Sequence, residues 1–207
     1  MEIAPQDLDG IRELVNIGVG KGAGILSEMT GSKIELTIPE VSIYTPDEFD
    51  QLASQIGTER YSAISLDFRG AFSGMAYSII PADSAHILID AITGEEHSDN
   101  GEERPFTSIH AETLKEIGNI LINGVMGSIT NVLKSQLTYS LPSYCEADIP
   151  SLIQKVGQEH REAILLAETH MFIRNLNING KILMIMGSAS FEILVGRMRE
   201  ISRDRQA

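Results

Sequence analysis

One constellation of residues occurs twice in this chain, and the second copy is displaced by 103 residues at every member. Glu13, Asn16 and Pro39 recur as Glu116, Asn119 and Pro142. In each copy the Glu and Asn are three apart, and the Pro follows the Asn by 23. A lone polar pair on a helix carries little information. A pair repeated at half the chain length, with the same distant proline, points to a duplicated fold with two copies of one site.

Both halves read in the same order. Asp7–Met29 has helical periodicity, with Leu8, Ile11, Val15, Gly18, Gly22, Ile25 or Leu26, and Met29 on one face. Gly31 stops that helix. Ile34, Leu36 and Ile38 alternate as a strand ending at Pro39. A short helix is expected near Pro46–Gln55. Strands follow over Ile64–Phe68 and Met75–Ile80, joined by turn residues at Gly70–Gly74, and then a helix over Ala85–Ile92. The second half starts with a helix over Ser108–Leu133, its apolar face carrying Leu114, Leu121, Val125, Ile129 and Val132. Leu137, Tyr139 and Leu141 form the matching strand before Pro142. Ala163–Ala167 and Met171–Ile178 read as strands, Asn179-Gly180 as a hairpin turn into Lys181–Gly187, and the segment from Ser188 or Ser190 to about Arg199 as a last helix.

This order implies an α+β fold: a single, internally duplicated, pseudo-two-fold domain spanning 1–207, with a largely antiparallel sheet covered by helices. Repeat 1 covers about 7–93 and repeat 2 about 106–200, with a polar, acidic linker over 94–105. Each half alone has too few strands for an independent core.

Charge and cysteine usage narrow the function. A formal net charge of −13 argues against nucleic acid or an anionic membrane as partner. Cys145 stands alone, so no intrachain disulfide forms. Met1–Pro5 does not read as a signal peptide, and the strongly apolar stretch around Ile182–Met186 is far too short to span a bilayer. No membrane insertion and a cytoplasmic location are therefore expected.

At 100° per residue, Asp9, Glu13, Asn16, Gly20 and Ser27 gather opposite Leu8, Ile11, Val15, Gly18 and Gly22. Glu13 and Asn16 are thus i, i+3 neighbours on an exposed face. Glu116 and Asn119 follow suit, with Glu112 above and Asn123 below. Asn competes for backbone hydrogen bonds, so mid-helix is not its usual place. Gly20 bares the surface beside Asn16 and permits a bulky partner to approach. No Ser, Cys or His lies beside either pair, so a nucleophile is missing. A side-chain amide donates and accepts, and so can orient a water molecule. Phosphoryl transfer needs little more when the substrate brings metal and acceptor. The Glu can anchor a partner's cation.

The doubled Glu-x-x-Asn with its distant Pro, set in Glu13-Leu14-Val15-Asn16-Ile17-Gly18-Val19-Gly20 and Glu116-Ile117-Gly118-Asn119-Ile120-Leu121, resembles the CheC branch of the CheC/CheX/FliY phosphatases of bacterial and archaeal chemotaxis. The resemblance spans nearly the whole chain. It implies a protein phosphatase that hydrolyses the aspartyl phosphate of a CheY-like response regulator. Glu13, Asn16, Glu116 and Asn119 would be its catalytic residues: each Asn aligns the attacking water, and each Glu contacts the regulator's lysine. It implies no cofactor or metal of its own, with magnesium on the partner. It implies CheD, a receptor-modifying deamidase, as a further partner, and a monomer. Four residues before the Glu the family pattern often has Asp or Ser. Asp9 fits, and Glu112 departs.

Other readings compete. Gly18-Val19-Gly20-Lys21-Gly22-Ala23-Gly24 lacks the Ser or Thr that a P-loop places after its Lys, and no strand precedes it as in a dinucleotide fingerprint. His86, His97, His110, His160 and His170 have no metal-ligand spacing. A non-catalytic adaptor that binds CheD or a phosphorylated regulator is the main alternative. An unrelated small-molecule enzyme would need a deep polar pocket.

Overall fold

The computed structural model describes residues 3–48, 59–93, 107–156, 162–173 and 176–204. The chain begins with α1 (Pro5–Thr30), followed by β1 (Ile34–Thr37), β2 (Val41–Tyr44), a 3-10 turn (Pro46–Glu48), β3 (Tyr61–Gly70), β4 (Gly74–Pro81) and α2 (Ala82–Thr93). The second half runs α3 (Ser108–Val132), β5 (Leu137–Tyr139), β6 (Ser143–Ala147), α4 (Ile149–Val156), β7 (Glu162–Ile173), β8 (Leu176–Gly187) and α5 (Ser188–Asp204). Among the described residues no helix is long and apolar enough to cross a membrane.

Local chemistry sets the helix ends. Asp7 of α1 reaches back to accept the Ala4 N–H at 2.8 Å, which satisfies a donor the first turn leaves open. Thr107 and His110 cap α3 reciprocally: the Thr107 hydroxyl accepts the His110 N–H, and the His110 ring accepts the Thr107 N–H. Gly31 closes α1 in the left-handed region at φ 61°. At the equivalent position after α3 stands Lys134, also left-handed at φ 48°.

The eight strands form one antiparallel sheet in the order β1-β7-β8-β4-β3-β5. β2 continues the edge made by β1 along β7, and β6 continues the edge made by β5 along β3. The order reads the same after β1–β4 are exchanged for β5–β8 and the list is reversed. Each half therefore lends its first two strands to the other: Ile34 lies opposite Ile173, and Phe68 opposite Tyr139.

Strand alternation divides the core between the two faces. Ile64, Leu66 and Phe68 of β3 and Ile182, Met184 and Met186 of β8 point to one face, beneath α1, α2, α3 and α5. Ala63, Ile79, Leu183 and Ile185 point to the other, where Ile149 and Leu152 of α4 cover them. Each such aliphatic side chain contributes about 1.5–3 kcal/mol on full burial. Buried in the first layer, Asp7 takes two hydrogen bonds from Arg199, at 2.9 and 2.6 Å, and ties α1 to α5.

α1 and α3 cross in direct backbone contact. A Cβ on Gly18 would fall 2.4 Å from Val125 Cα, and one on Gly124 would fall 2.5 Å from the Gly18 carbonyl oxygen. Gly22 meets Leu121 in the same way. Rising residue numbers on α1 thus meet falling numbers on α3, so the helices are antiparallel. The contacts Gly18–Val125 and Gly22–Leu121 exchange with each other under the 103-residue displacement of the sequence motif.

The α+β class and the antiparallel sheet under helices match the sequence expectation. Several details differ. Asn179 and Gly180 lie inside β8, paired with His170 and Thr169, so the chain does not turn there. β7 is one strand over Glu162–Ile173, paired antiparallel with β8 along its whole length. On α1, Leu26 is buried while Ile25 and Met29 are exposed, because the i+4 row through residues 17, 21, 25 and 29 drifts off the core. Of the short helix expected near Pro46–Gln55, only the 3-10 turn at Pro46–Glu48 falls within the described residues. β2, β6 and α4 were not expected.

Candidate functional site

The first pair sits on the solvent side of α1, where Glu13 is exposed and Asn16 half-buried. The Asn16 amide leans towards the sheet edge, and its Oδ1 accepts the Ile38 N–H at 3.1 Å. That bond joins the members of the motif. A residue before proline is held extended, so Pro39 fixes Ile38 in a conformation that aims its N–H at Asn16. The donor also settles the amide's orientation: the carbonyl end faces Ile38, and the NH2 end has no partner among the described residues. About three turns further on, Ser27 accepts the Ile34 N–H at 3.0 Å, so two side chains clip α1 to β1 and its extension. Nothing lies within 4 Å of a Cβ placed on Gly20, so the surface beside Asn16 is bare as expected.

The second pair has the same placement on α3, with Glu116 exposed and Asn119 half-buried. Its surroundings differ. Leu141, the counterpart of Ile38, is 89% exposed, whereas Ile38 is 5% exposed. Neither Asn119 nor Thr130, the counterparts of Asn16 and Ser27, bonds to β5. Instead the Asn119 Oδ1 accepts from Asn123 Nδ2 at 2.7 Å. Asn123 occupies the position that is Gly20 in the first copy.

Both pairs carry the same charged neighbour, which sequence reading missed. Asp9 pairs with Arg12 at 2.9 Å, and Glu112 pairs with Lys115 at 2.5 Å. Arg12 and Lys115 are themselves 103 apart, a repeat that charge alone could have revealed. The departure at Glu112 is therefore geometrically neutral, since acid and base meet at i, i+3 in both copies. These bonds occupy Asp9 and Glu112 and leave Glu13 and Glu116 with no ion pair or hydrogen bond among the described residues.

Gly18 and Gly22 face α3 and lie about 200–240° around α1 from Asn16, by helix geometry. The two pairs accordingly sit on opposite outer flanks of the helix pair, the first between α1 and the sheet edge made by β1 and β2. Each flank offers a carboxylate and an amide NH2 to solvent, suited to grip a cation and orient a small polar molecule. Neither flank is enclosed. A cleft lined by Leu121, Met171, Ile178 and Ile182 is apolar and includes no member of either pair. Among the described residues no three His, Cys, Asp or Glu side chains gather as a metal site.

No protein-family model matches the chain. It is 28% identical over 145 residues to the CheY-P phosphatase CheC of Bacillus subtilis (strain 168), covering 68% of this chain and 66% of that protein. It is 24% identical over 141 residues to the flagellar motor switch phosphatase FliY of the same organism, covering 68% of this chain and 36% of FliY. CheC1 of Halobacterium salinarum is 22% identical over 178 residues, covering 84% of this chain and 87% of that protein. The matches to the two Bacillus proteins thus span less than two thirds of their length. Among solved structures, Thermotoga maritima FliY superposes with a TM-score of 0.72 at 19% identity, covering 97% of this chain and 98% of that one. FliM in a FliG–FliM complex from H. pylori gives 0.68 at 15% identity, covering 94% and 100%. A CheX–CheY–BeF3–Mg2+ complex from Borrelia burgdorferi gives 0.50 at 14% identity, covering 84% and 99%. The chain is thus similar in sequence to relatives named CheC, CheC1 and FliY, and shares its fold with solved structures of FliY, FliM and CheX.

Proposed function

We propose that this chain hydrolyses the aspartyl phosphate of a CheY-type response regulator, with Glu13–Asn16 and Glu116–Asn119 as its two catalytic pairs. The observation that carries the reading is the exposed Glu beside a half-buried Asn in both pairs, with the Asn16 amide already oriented by Ile38. When the receiver docks, the Glu carboxylate takes the receiver's lysine in a charge-assisted hydrogen bond. The Asn amide enters the phosphorylated pocket and holds a water in line with the phosphorus–oxygen bond that breaks. The water oxygen forms the new bond to phosphorus, the aspartate carboxylate leaves, and inorganic phosphate carries the remaining protons. Magnesium belongs to the receiver and screens the phosphoryl oxygens. This chain's own contribution is positioning, which suits a reaction whose barrier yields to alignment and electrostatics.

Replacing both Asn16 and Asn119 with Ala tests the reading. Phosphate release from a phosphorylated receiver in magnesium falls about a hundredfold towards its spontaneous rate, by analogy with removal of a transition-state donor. Unchanged release in the double variant refutes it. The palindromic sheet order and the reciprocal glycine contacts support a further part of the proposal: the chain is one duplicated domain acting as a monomer with two separate docking flanks.

A second reading has its own support. FliM shares this fold and is solved in a complex with FliG, so the scaffold also suits assembly. On that reading the chain is an adaptor for CheD or for a phosphorylated regulator. Binding of the phosphorylated receiver with no acceleration of phosphate release would favour it.

A further inference from the structure

The two pairs hold their amides by different means. Asn16 is held by a backbone donor, the Ile38 N–H. The backbone cannot move independently of the sheet, and Ile38 is packed into the core. The second site has no such backbone donor. Leu141 projects into solvent, and β5 is three residues long against four in β1. The Asn119 carbonyl is met instead by the Asn123 amide, one turn along the same helix. The position that is empty at Gly20 is filled at Asn123, on the flank where the backbone donor is missing.

We propose that Asn123 is the positioning residue of the second site, standing in for the backbone N–H that orients Asn16. By donating to the Asn119 Oδ1 it turns the carbonyl end inward and leaves the NH2 end for the phosphorylated partner. Both sites thus present the same donor. The first does so through its fold, and the second through a single exposed side chain. This rests on the phosphatase reading above and adds a residue that the repeated motif does not contain. It also orders the two sites, since an i, i+4 bond between exposed side chains is weak and holds Asn119 less firmly than the backbone holds Asn16.

The test uses the full chain with a CheY-type receiver phosphorylated by phosphoramidate in magnesium. In an Asn16→Ala background only the second site works. There Asn123→Ala lowers kcat about three- to tenfold and leaves KM unchanged, because docking is intact and alignment is not. Asn123→Asp gives the same loss, since a carboxylate of equal shape has no donor for the Asn119 carbonyl. In an Asn119→Ala background, where only the first site works, Asn123→Ala changes nothing. Full turnover in the Asn16→Ala/Asn123→Asp variant, a gain on Asn123→Ala, or equal losses in both backgrounds each overturns the proposal. The phosphatase reading fails separately, through undiminished release by Asn16→Ala/Asn119→Ala. A readout that needs no turnover is the side-chain amide region of a ¹⁵N NMR spectrum. Asn119→Ala shifts the Asn123 NH2 resonances and Asn16→Ala leaves them in place. Resonances indifferent to Asn119→Ala would overturn the bond itself.

Discussion

Gly18 and Gly20 lie two residues apart on α1 and face opposite ways, so alanine at the two positions should move stability in opposite directions. At Gly20 the new methyl meets nothing within 4 Å, so only helix propensity acts, a gain of about 1 kcal/mol. At Gly18 the methyl would sit 2.4 Å from Val125 Cα and 2.6 Å from the Gly124 carbonyl oxygen. Those obstacles are backbone and cannot rotate away. Ordinary contact begins near 3.4 Å, so α1 and α3 must part by roughly 1 Å, which forfeits a quarter to a half of each dispersion contact across the seam. Overpacking of this kind costs about 1–3 kcal/mol. Since backbone must move, the upper end applies, and after the propensity gain the net loss is about 2 kcal/mol. Urea unfolding followed by far-UV circular dichroism measures it, because the chain has no Trp. With a slope of about 2 kcal/mol/M, the midpoint of Gly18→Ala falls by roughly 1 M, and that of Gly20→Ala rises by roughly half as much. Gly124→Ala presses on the same seam from the other side, so the double variant loses less than the sum of the singles. A Gly18→Ala midpoint at or above the wild-type value would refute the close-contact account.

Two further predictions concern stability. Lys134→Gly relieves a left-handed side chain, a strain of about 1–2 kcal/mol, partly offset by glycine's extra unfolded freedom, for a net gain of about 0.5–1 kcal/mol; a thermal scan should show a rise of a few degrees, and a fall would mean the Lys134 side chain has a compensating role. Asp7 has its carboxyl held below the usual 3.8, first by the Arg199 hydrogen bonds. A lowered folded pKa contributes stability that is complete well above 3.8 and is lost as pH falls through the folded value. Asp7→Asn therefore costs about 1–2 kcal/mol at pH 7, less than a fully buried pair because Arg199 is 38% exposed. The gap between the two proteins should narrow below pH 3.8 and close in stronger acid, and a gap independent of pH would exclude the linkage.

The long elements were legible in the sequence because periodicity accumulates over many residues. α1 and α3 each run for about seven turns, and β3, β4 and the second half of β8 alternate cleanly. β2 and β6 were not legible. They are four and five residues long, and every residue of β2 is half-buried, so no inside and outside can be told apart. Asn179-Gly180 misled for the opposite reason. The dipeptide is a strong turn signal, but Ile178 and Ile182 both face the core, and the pairing with β7 carries the strand straight through. At the site, the Glu and Asn of each copy were visible as a spacing. Their partners were not, because the Ile38 N–H belongs to the backbone and every residue but proline has one. Asn123 was visible beside its pair, but what it does depends on where Leu141 goes, and that is decided by tertiary packing.

The exchange of edge strands bears on how the chain can be made. β1 is synthesised early, but its neighbour in the sheet is β7, and Ile34 must wait for Ile173. When the first half has left the ribosome, β3 and β4 can pair as a hairpin while α1 still lacks the strands that line its underside, among them Leu165 and Met184. No half-length nascent chain can finish its core. Completion is deferred until the last strands emerge, and the waiting edge of β1 and β2 is open to any other strand meanwhile. Even β8 is not enough, since Phe191, Leu194 and Val195 of α5 complete the core and Arg199 meets Asp7, so a stall before α5 has emerged should leave a chaperone substrate rather than a native half.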